Sequence, residues 1–173
     1  MDDILRQTTD IARTTQEETV TQELARSAEQ RKADTLALLS STVVDVWVST
    51  ASADNGVSPH LVPVSLAWVD ERVVVAIQAS SRTARDLATH GVARLGVGPT
   101  RDVVMIDAVL DAVHDVGTAP PVIVEGYLAQ SDWDPRASPG YVLVVLRPTR
   151  IQAWRESNEI AGRTLMRDGR WLV

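Results

Sequence analysis

The spacing of apolar residues changes near residue 43. Residues 1–40 are polar, rich in Thr, Gln, Glu and Arg, and contain neither Gly nor Pro. Val20, Leu24 and Ala28 recur there at intervals of four, as a narrow apolar stripe. Thr15-Gln16-Glu17-Glu18 has the spacing of a capping box with Thr15 as N-cap, so the pattern predicts a helix over about residues 16–39, with Lys32 a candidate break. So thin a stripe either packs on the rest of the chain or on another subunit, or belongs to a frayed terminal helix. From Val43 the period is two. Val44, Val46 and Val48 share one face while Asp45, Trp47 and Ser49 share the other, the signature of a half-buried strand.

Turn signals then divide the chain into short segments. Ala53-Asp54-Asn55-Gly56 predicts a turn, and His60–Trp68 the next strand. Pro63 has no N–H for a ladder, which makes that strand an edge or a bulged one. Asp70-Glu71 leads into a strand over Arg72–Ala79. A short helix begins in Ser80-Ser81-Arg82-Thr83-Ala84-Arg85 and ends at His90-Gly91, with Gly91 suited to the left-handed capping position. Val92–Val97 is a strand, and Gly98-Pro99-Thr100 turns into a long one, Arg101–Val113. Here Val104, Ile106, Ala108, Leu110 and Ala112 form an unbroken apolar face opposite Asp107 and Asp111, as in a strand that bends around a barrel. Pro120-Pro121 opens a helix to about Gln130. Tyr141–Leu146 and Arg150–Trp154 read as two closing strands separated by Arg147-Pro148, and Gly162–Val173 as a terminal hairpin. The fold class is therefore mainly β (α+β): a Greek-key-like antiparallel barrel over residues 41–173 with peripheral helices, and residues 1–40 as an N-terminal helical extension.

Composition narrows this picture. At 173 residues the chain has the length of one domain. Phenylalanine is absent, so Val, Leu, Ile and Ala must build most of the core. With no cysteine there are no disulfides, thiolate metal sites or cysteine nucleophiles. His60, His90 and His114 are too scattered for a metal site. No signal-peptide pattern or long apolar run is present, so a cytoplasmic protein that avoids membranes is expected. The net charge of −6, with Lys32 the sole lysine, argues against a dedicated nucleic-acid binder.

The candidate chemistry sits at the short helix. The first N–H groups of a helix lack intrahelical partners and its dipole favours negative charge, so this start suits a phosphorylated ligand. Arg82 and Arg85 can add charge-assisted bonds, for which guanidinium geometry is apt. Against this, Arg82 can be a solvated surface residue, Arg85 can pair with Asp86 or Asp102, and Thr83 can simply start the helix. Ser80 and Ser81 compete for the N-cap. Asp107 and Asp111 share a strand face, but nothing marks them as an acid/base pair.

The order Gly56-Val-Ser-Pro-His60-Leu-Val-Pro63-Val-Ser65-Leu, an apolar strand, Ser81-Arg82-Thr83-Ala84-Arg85-Asp86-Leu87, then Ala93-Arg94-Leu95-Gly96 resembles the pyridoxamine 5'-phosphate oxidase-like superfamily over roughly residues 35–155. The resemblance implies a split β-barrel that binds FMN or the deazaflavin F420, in a homodimer with cofactor sites at the interface. It places His60, Val62, Pro63, Val64 and Ser65 along the ring and Gln78 and Ala79 beside the ribityl chain or ring. It places Ser81, Arg82 and Thr83 at the phosphate, with Arg85 nearby. Trp133, Trp154 and Trp171 become candidates for covering the ring, and Arg101-Asp102 either reaches a cofactor across the interface or forms a surface pair. Family oxidases commonly carry Arg-Lys where this chain has Arg82-Thr83, and basic residues where it has His60 and Ser65. Their C-terminal substrate-binding pattern is also missing, so a true pyridoxamine-phosphate oxidase is not implied. The expected activity is hydride transfer to or from a small molecule. The alternative is a non-catalytic carrier or sensor of a cofactor or haem on the same barrel.

Overall fold

The computed structural model describes residues 24–52 and 58–173. The Thr15–Glu18 box, Val20 and the 53–56 turn lie outside the described residues.

Helix α1 is shorter than its apolar stripe predicts, spanning Ala28–Leu39. It begins there because the Ser27 hydroxyl accepts the Gln30 N–H (3.1 Å), and it passes Lys32 without a break. Residues 24–27 are not helical, and Leu24 is 96% exposed. The strands are β1 Val44–Ser52, β2 Ser58–Val69, β3 Arg72–Gln78, β4 Val92–Val97, β5 Val103–Asp115, β6 Tyr141–Trp154, β7 Thr164–Arg167 and β8 Arg170–Trp171. Helix α2, Arg82–His90, joins β3 to β4, and α3, Pro121–Gln130, lies between β5 and β6.

The sheet runs β3-β2-β1-β4-β5-β6, and β3 also pairs with β6, closing six antiparallel strands into a barrel. β7 and β8 extend the sheet beyond β6 as the expected terminal hairpin, turning through Asp168 and Gly169 at positive φ. The even-numbered β1 residues predicted to face inward do so: Val46 and Val48 are buried with Leu66, Val73, Val75, Leu95, Ile106, Leu146 and Ile151. A second cluster forms outside the barrel wall, where α3 covers Ala67, Val69, Val74, Ala76, Leu143 and Val145. β3 and β6 are thus apolar on both faces, which is why Val73–Ile77 and Leu143–Leu146 read as continuous runs. Gly126 lets α3 lie this close, since a Cβ there would meet Val69 at 2.7 Å.

Two strand readings are corrected. The Tyr141–Trp154 stretch is one strand, because its register skips at Thr149, next to Pro148, and the irregularity accommodates the proline. The apolar face of β5 is not unbroken. A shift between Leu110 and Ala112 turns Leu110 toward the barrel core and Ala112 toward the outer cluster.

One ion cluster fixes the N-terminal part to the barrel. Glu159, in the short helical turn after β6, is 3% exposed. It accepts from Arg26 Nε and Nη2 (2.9 Å each) and from the backbone N–H groups of Arg26 and Arg155. Arg26 Nη1 bonds Asp34 (2.7 Å) and its Nη2 also reaches Asp102 (3.1 Å). The Arg26 guanidinium, hydrogen-bonded to the Glu159 carboxyl, lowers its pKa to about 2 against the cost of burial.

Candidate functional site

The site expected from sequence centres on the start of α2. Ser81, in extended conformation, is the N-cap: its hydroxyl accepts the Ala84 N–H at 3.1 Å, which decides between the two serines. Gly91 closes the helix at φ +66°, its N–H bonded to the Leu87 carbonyl. The N–H groups of Arg82 and Thr83 find no acceptor among the described residues, as the first turn of a helix dictates.

α2 is pinned to the β1–β2 hairpin by polar groups. Asp86, 5% exposed, accepts the Thr50 hydroxyl at 2.8 Å. Arg82 Nε lies 3.7 Å from the same carboxylate while its Nη2 donates to the Ser58 carbonyl (2.8 Å). Nη1 of Arg82 has no acceptor among the described residues. Arg85 pairs with neither Asp86 nor Asp102; its Nη1 folds back onto the Ser80 carbonyl. Arg85 thus turns back toward the helix start, while Arg82 reaches across to β2. Thr83 is buried, at 3% exposure.

The β2 residues divide between two faces. His60, Val62 and Val64 stand opposite Thr50, Val48 and Val46 on the inner face, while Pro63 and Ser65 face outward opposite Trp47 and Asp45. Ser65 Oγ donates to Asp45 at 3.4 Å. β3 pairs with β2 only from Leu66 onward, so residues 58–65, with Pro63 among them, form an edge segment as the proline requires. His60 stands at the end of this segment, half-buried, across from the Thr50 that bonds Asp86.

Gln78 and Ala79 complete this end of the barrel. The Ala79 N–H bonds the Gly140 carbonyl (2.9 Å), and Gln78 Nε2 donates to the Pro139 carbonyl (3.3 Å). Gly140 has φ +82°, and a Cβ there would stand 2.9 Å from Gln78 Oε1, so glycine lets the loop close on Gln78. Tyr141, paired with Gln78, meets Trp133 edge-on at 5.1 Å between ring centroids.

The other aromatic candidates are held elsewhere. Trp171 donates to Glu71 at the β2–β3 turn and lies under Lys32, and Trp154 lies under Arg163 at the far end of β6. Arg101 and Asp102 do not pair: Arg101 bonds Glu156, and Asp102 bonds Arg26 and Arg155. Asp107 and Asp111 are each neutralised by arginines, Arg94 and Arg150 for the first and Arg72 and Arg147 for the second.

The structure adds Thr50, Asp86 and the Ser58 carbonyl to the expected set. A sequence signal existed for two of them. Asp86 is four residues after Arg82 on one helix, and Thr50 is a polar residue continuing the inward parity of Val44, Val46 and Val48.

No protein-family model and no curated protein matches this chain by sequence. Solved structures match its fold. An F420 reductase has 16% identity and a TM-score of 0.51, over 66% of this chain and 93% of that one. A Clostridium acetobutylicum protein related to general stress protein 26 of B. subtilis, of the pyridoxinephosphate oxidase family, has 14% identity and a TM-score of 0.53, over 76% and 92%. A haem-binding protein from Mycobacterium smegmatis has 16% identity and a TM-score of 0.57, over 85% of this chain and 60% of that one. At these identities the likeness is one of fold.

Proposed function

We propose that this chain, built on the split-barrel fold it shares with pyridoxamine 5'-phosphate oxidase-like proteins, is a cytoplasmic oxidoreductase that binds FMN or, alternatively, F420 and acts on a small molecule. The observation that carries this reading is the start of α2. Two N–H groups and the Nη1 of Arg82, which have no acceptor among the described residues, lie there with Arg85, whose Nη1 bonds the Ser80 carbonyl, close to the edge segment of β2 that Arg82 reaches. Those groups fit a phosphate: helix-terminal N–H groups and guanidinium both favour a doubly charged oxyanion. Ser81 holds the helix start in shape by capping it. His60–Ser65 and Gln78-Ala79 would flank the ring system, largely through backbone.

The ring would supply hydride transfer; the protein supplies anchorage and orientation. Asp86 and Thr50 act as positioning residues, because they fix α2, and with it Arg82, against the hairpin. Trp133 and Tyr141 add aromatic surface beside Gln78.

A homodimer belongs to this reading. The outer face carries the cross-strand row Pro63–Trp47–Gly96–Met105, and near it Leu61 and Val92. Trp47 is 53% exposed and Leu61 57%, an apolar surface of the kind that a second copy covers in a self-complementary contact. Sedimentation equilibrium is expected to give twice the chain mass.

The test of the cofactor is visible absorption of the purified chain titrated in parallel with FMN and F420. A saturable shift with one of them is expected; no response to either overturns the reading. The fold likeness to a haem-binding protein supports a second reading, a non-catalytic carrier. A Soret band that saturates with haem, with no flavin response, would select it.

A further inference from the structure

The outer face of the C-terminal strands gathers arginines without matching carboxylates. Across neighbouring strands the register sets Arg94 opposite Asp107, Asp107 opposite Arg150, Arg150 opposite Arg167 and Arg167 opposite Arg170. Asp107 serves the first part of this row, bonding Arg94 at 2.6 Å and lying 3.8 Å from Arg150. Beyond it the acids run out. Among the described residues no carboxylate lies within ion-pair distance of Arg163, Arg167 or Arg170. Instead a neutral amide collects the guanidiniums: Gln152, with its oxygen turned toward them, accepts from Arg150 Nη2 (2.9 Å), Arg163 Nε (3.0 Å) and the Thr164 hydroxyl (3.2 Å). Arg163 is further fixed by the Trp154 ring, 5.3 Å from its guanidinium carbon.

Like charges directly opposite on neighbouring strands are destabilising. The chain has 23 acidic residues against 17 basic ones, so it does not lack counter-charges to place here. We propose that Arg150 and Arg163, gathered on Gln152, form with Arg167, which stands opposite Arg150 on β7, a second anion site for a phosphate ester or pyrophosphate group. Guanidinium forks match phosphate oxygens, and the amide and indole hold two of the three forks in place before a ligand arrives. This site is separate from the start of α2. Gln152 lies eleven residues along β6 from Tyr141, the partner of Gln78, which is roughly 35 Å of strand at 3.3 Å per residue.

The test is calorimetric titration of the full chain with pyrophosphate at low ionic strength. Pyrophosphate can also reach the start of α2, so wild type and Arg82→Ala are titrated side by side. Saturable binding that persists in Arg82→Ala, and weakens by about tenfold or more in Arg163→Gln/Arg167→Gln, is the expected result. Gln152→Glu places a carboxylate among the arginines; it is expected to abolish this binding and to raise the melting temperature without ligand. Absence of saturable binding in Arg82→Ala overturns the proposal. So does equal affinity in the double variant, with a melting curve showing that it is folded. Free O-phosphoserine and a neutral phosphoserine peptide separate the two sources of such a group. Equal affinity assigns a small ester, and tighter peptide binding assigns a phosphate carried on a protein.

Discussion

Two buried carboxylates each hold an arginine, and the difference between them separates structure from site. Glu159 takes two guanidinium hydrogen bonds from Arg26 and two from backbone N–H groups, and Arg26 donates further to Asp34 and Asp102, so that each of its guanidinium nitrogens has an acceptor. That knot is closed. Asp86 is bonded by the Thr50 hydroxyl, while Arg82 stands 3.7 Å away with a donor that, like two nearby N–H groups, has no acceptor among the described residues. Among the described residues this second knot is not closed, and the proposed phosphate would complete it.

Breaking the closed knot should have the largest effect. Glu159→Gln removes the buried carboxylate partner of Arg26, which keeps only the partly exposed Asp34 and Asp102, and is expected to destabilise the fold by about 3 kcal/mol, read as a lowered denaturation midpoint. Acid should act on the same group. The folded Glu159 pKa lies near 2 against an ordinary 4.5, so its contribution is fully present above pH 4.5 and is lost as pH falls toward 2. The total is on the order of 3 kcal/mol by proton linkage. A stability–pH curve of Glu159→Gln should be flatter than wild type over that window.

Opening the second knot further should cost less. Thr50→Val removes a hydroxyl donor from the buried Asp86 carboxylate and is expected to cost about 1–3 kcal/mol, with a weaker spectral response to FMN because α2 loses its tether. Arg82→Ala sharpens the contrast most. Its half-exposed ion pair should be worth under about 1 kcal/mol of stability. Affinity for the phosphorylated cofactor should nevertheless fall about tenfold or more. A loss of stability without a loss of affinity would make Arg82 a second structural clamp.

How much of this was legible in the sequence follows from distance along the chain. The inward parity of Val44, Val46 and Val48, the Gly91 cap and the order of strands are local patterns, and they appear where the periodicity places them. The closed knot was not legible, because Arg26 and Glu159 are 133 positions apart and no local pattern links them. The start of α1 differs from the stripe's prediction because Ser27 offers a cap inside the polar run, and a capping hydroxyl outweighs a thin apolar stripe. Pro148 reads as a break because its cost is local, whereas the skipped residue that absorbs it is a property of the pairing with β5. At α2, the charged residues of the site could be picked out by type. Which hydrogen bonds occupy them could not, since that depends on the Ser58 carbonyl and Thr50 arriving from other strands.

The edge segment of β2 carries a further consequence, for solubility. Residues 58–65 run beyond the reach of β3, and an unpaired strand edge is a template on which another chain can add a strand and begin a stack. Pro63 sits in the middle of that stretch and contributes no N–H to either side, so a ladder growing there meets a gap. The proline thus guards this exposed edge of the barrel against self-association into fibrils.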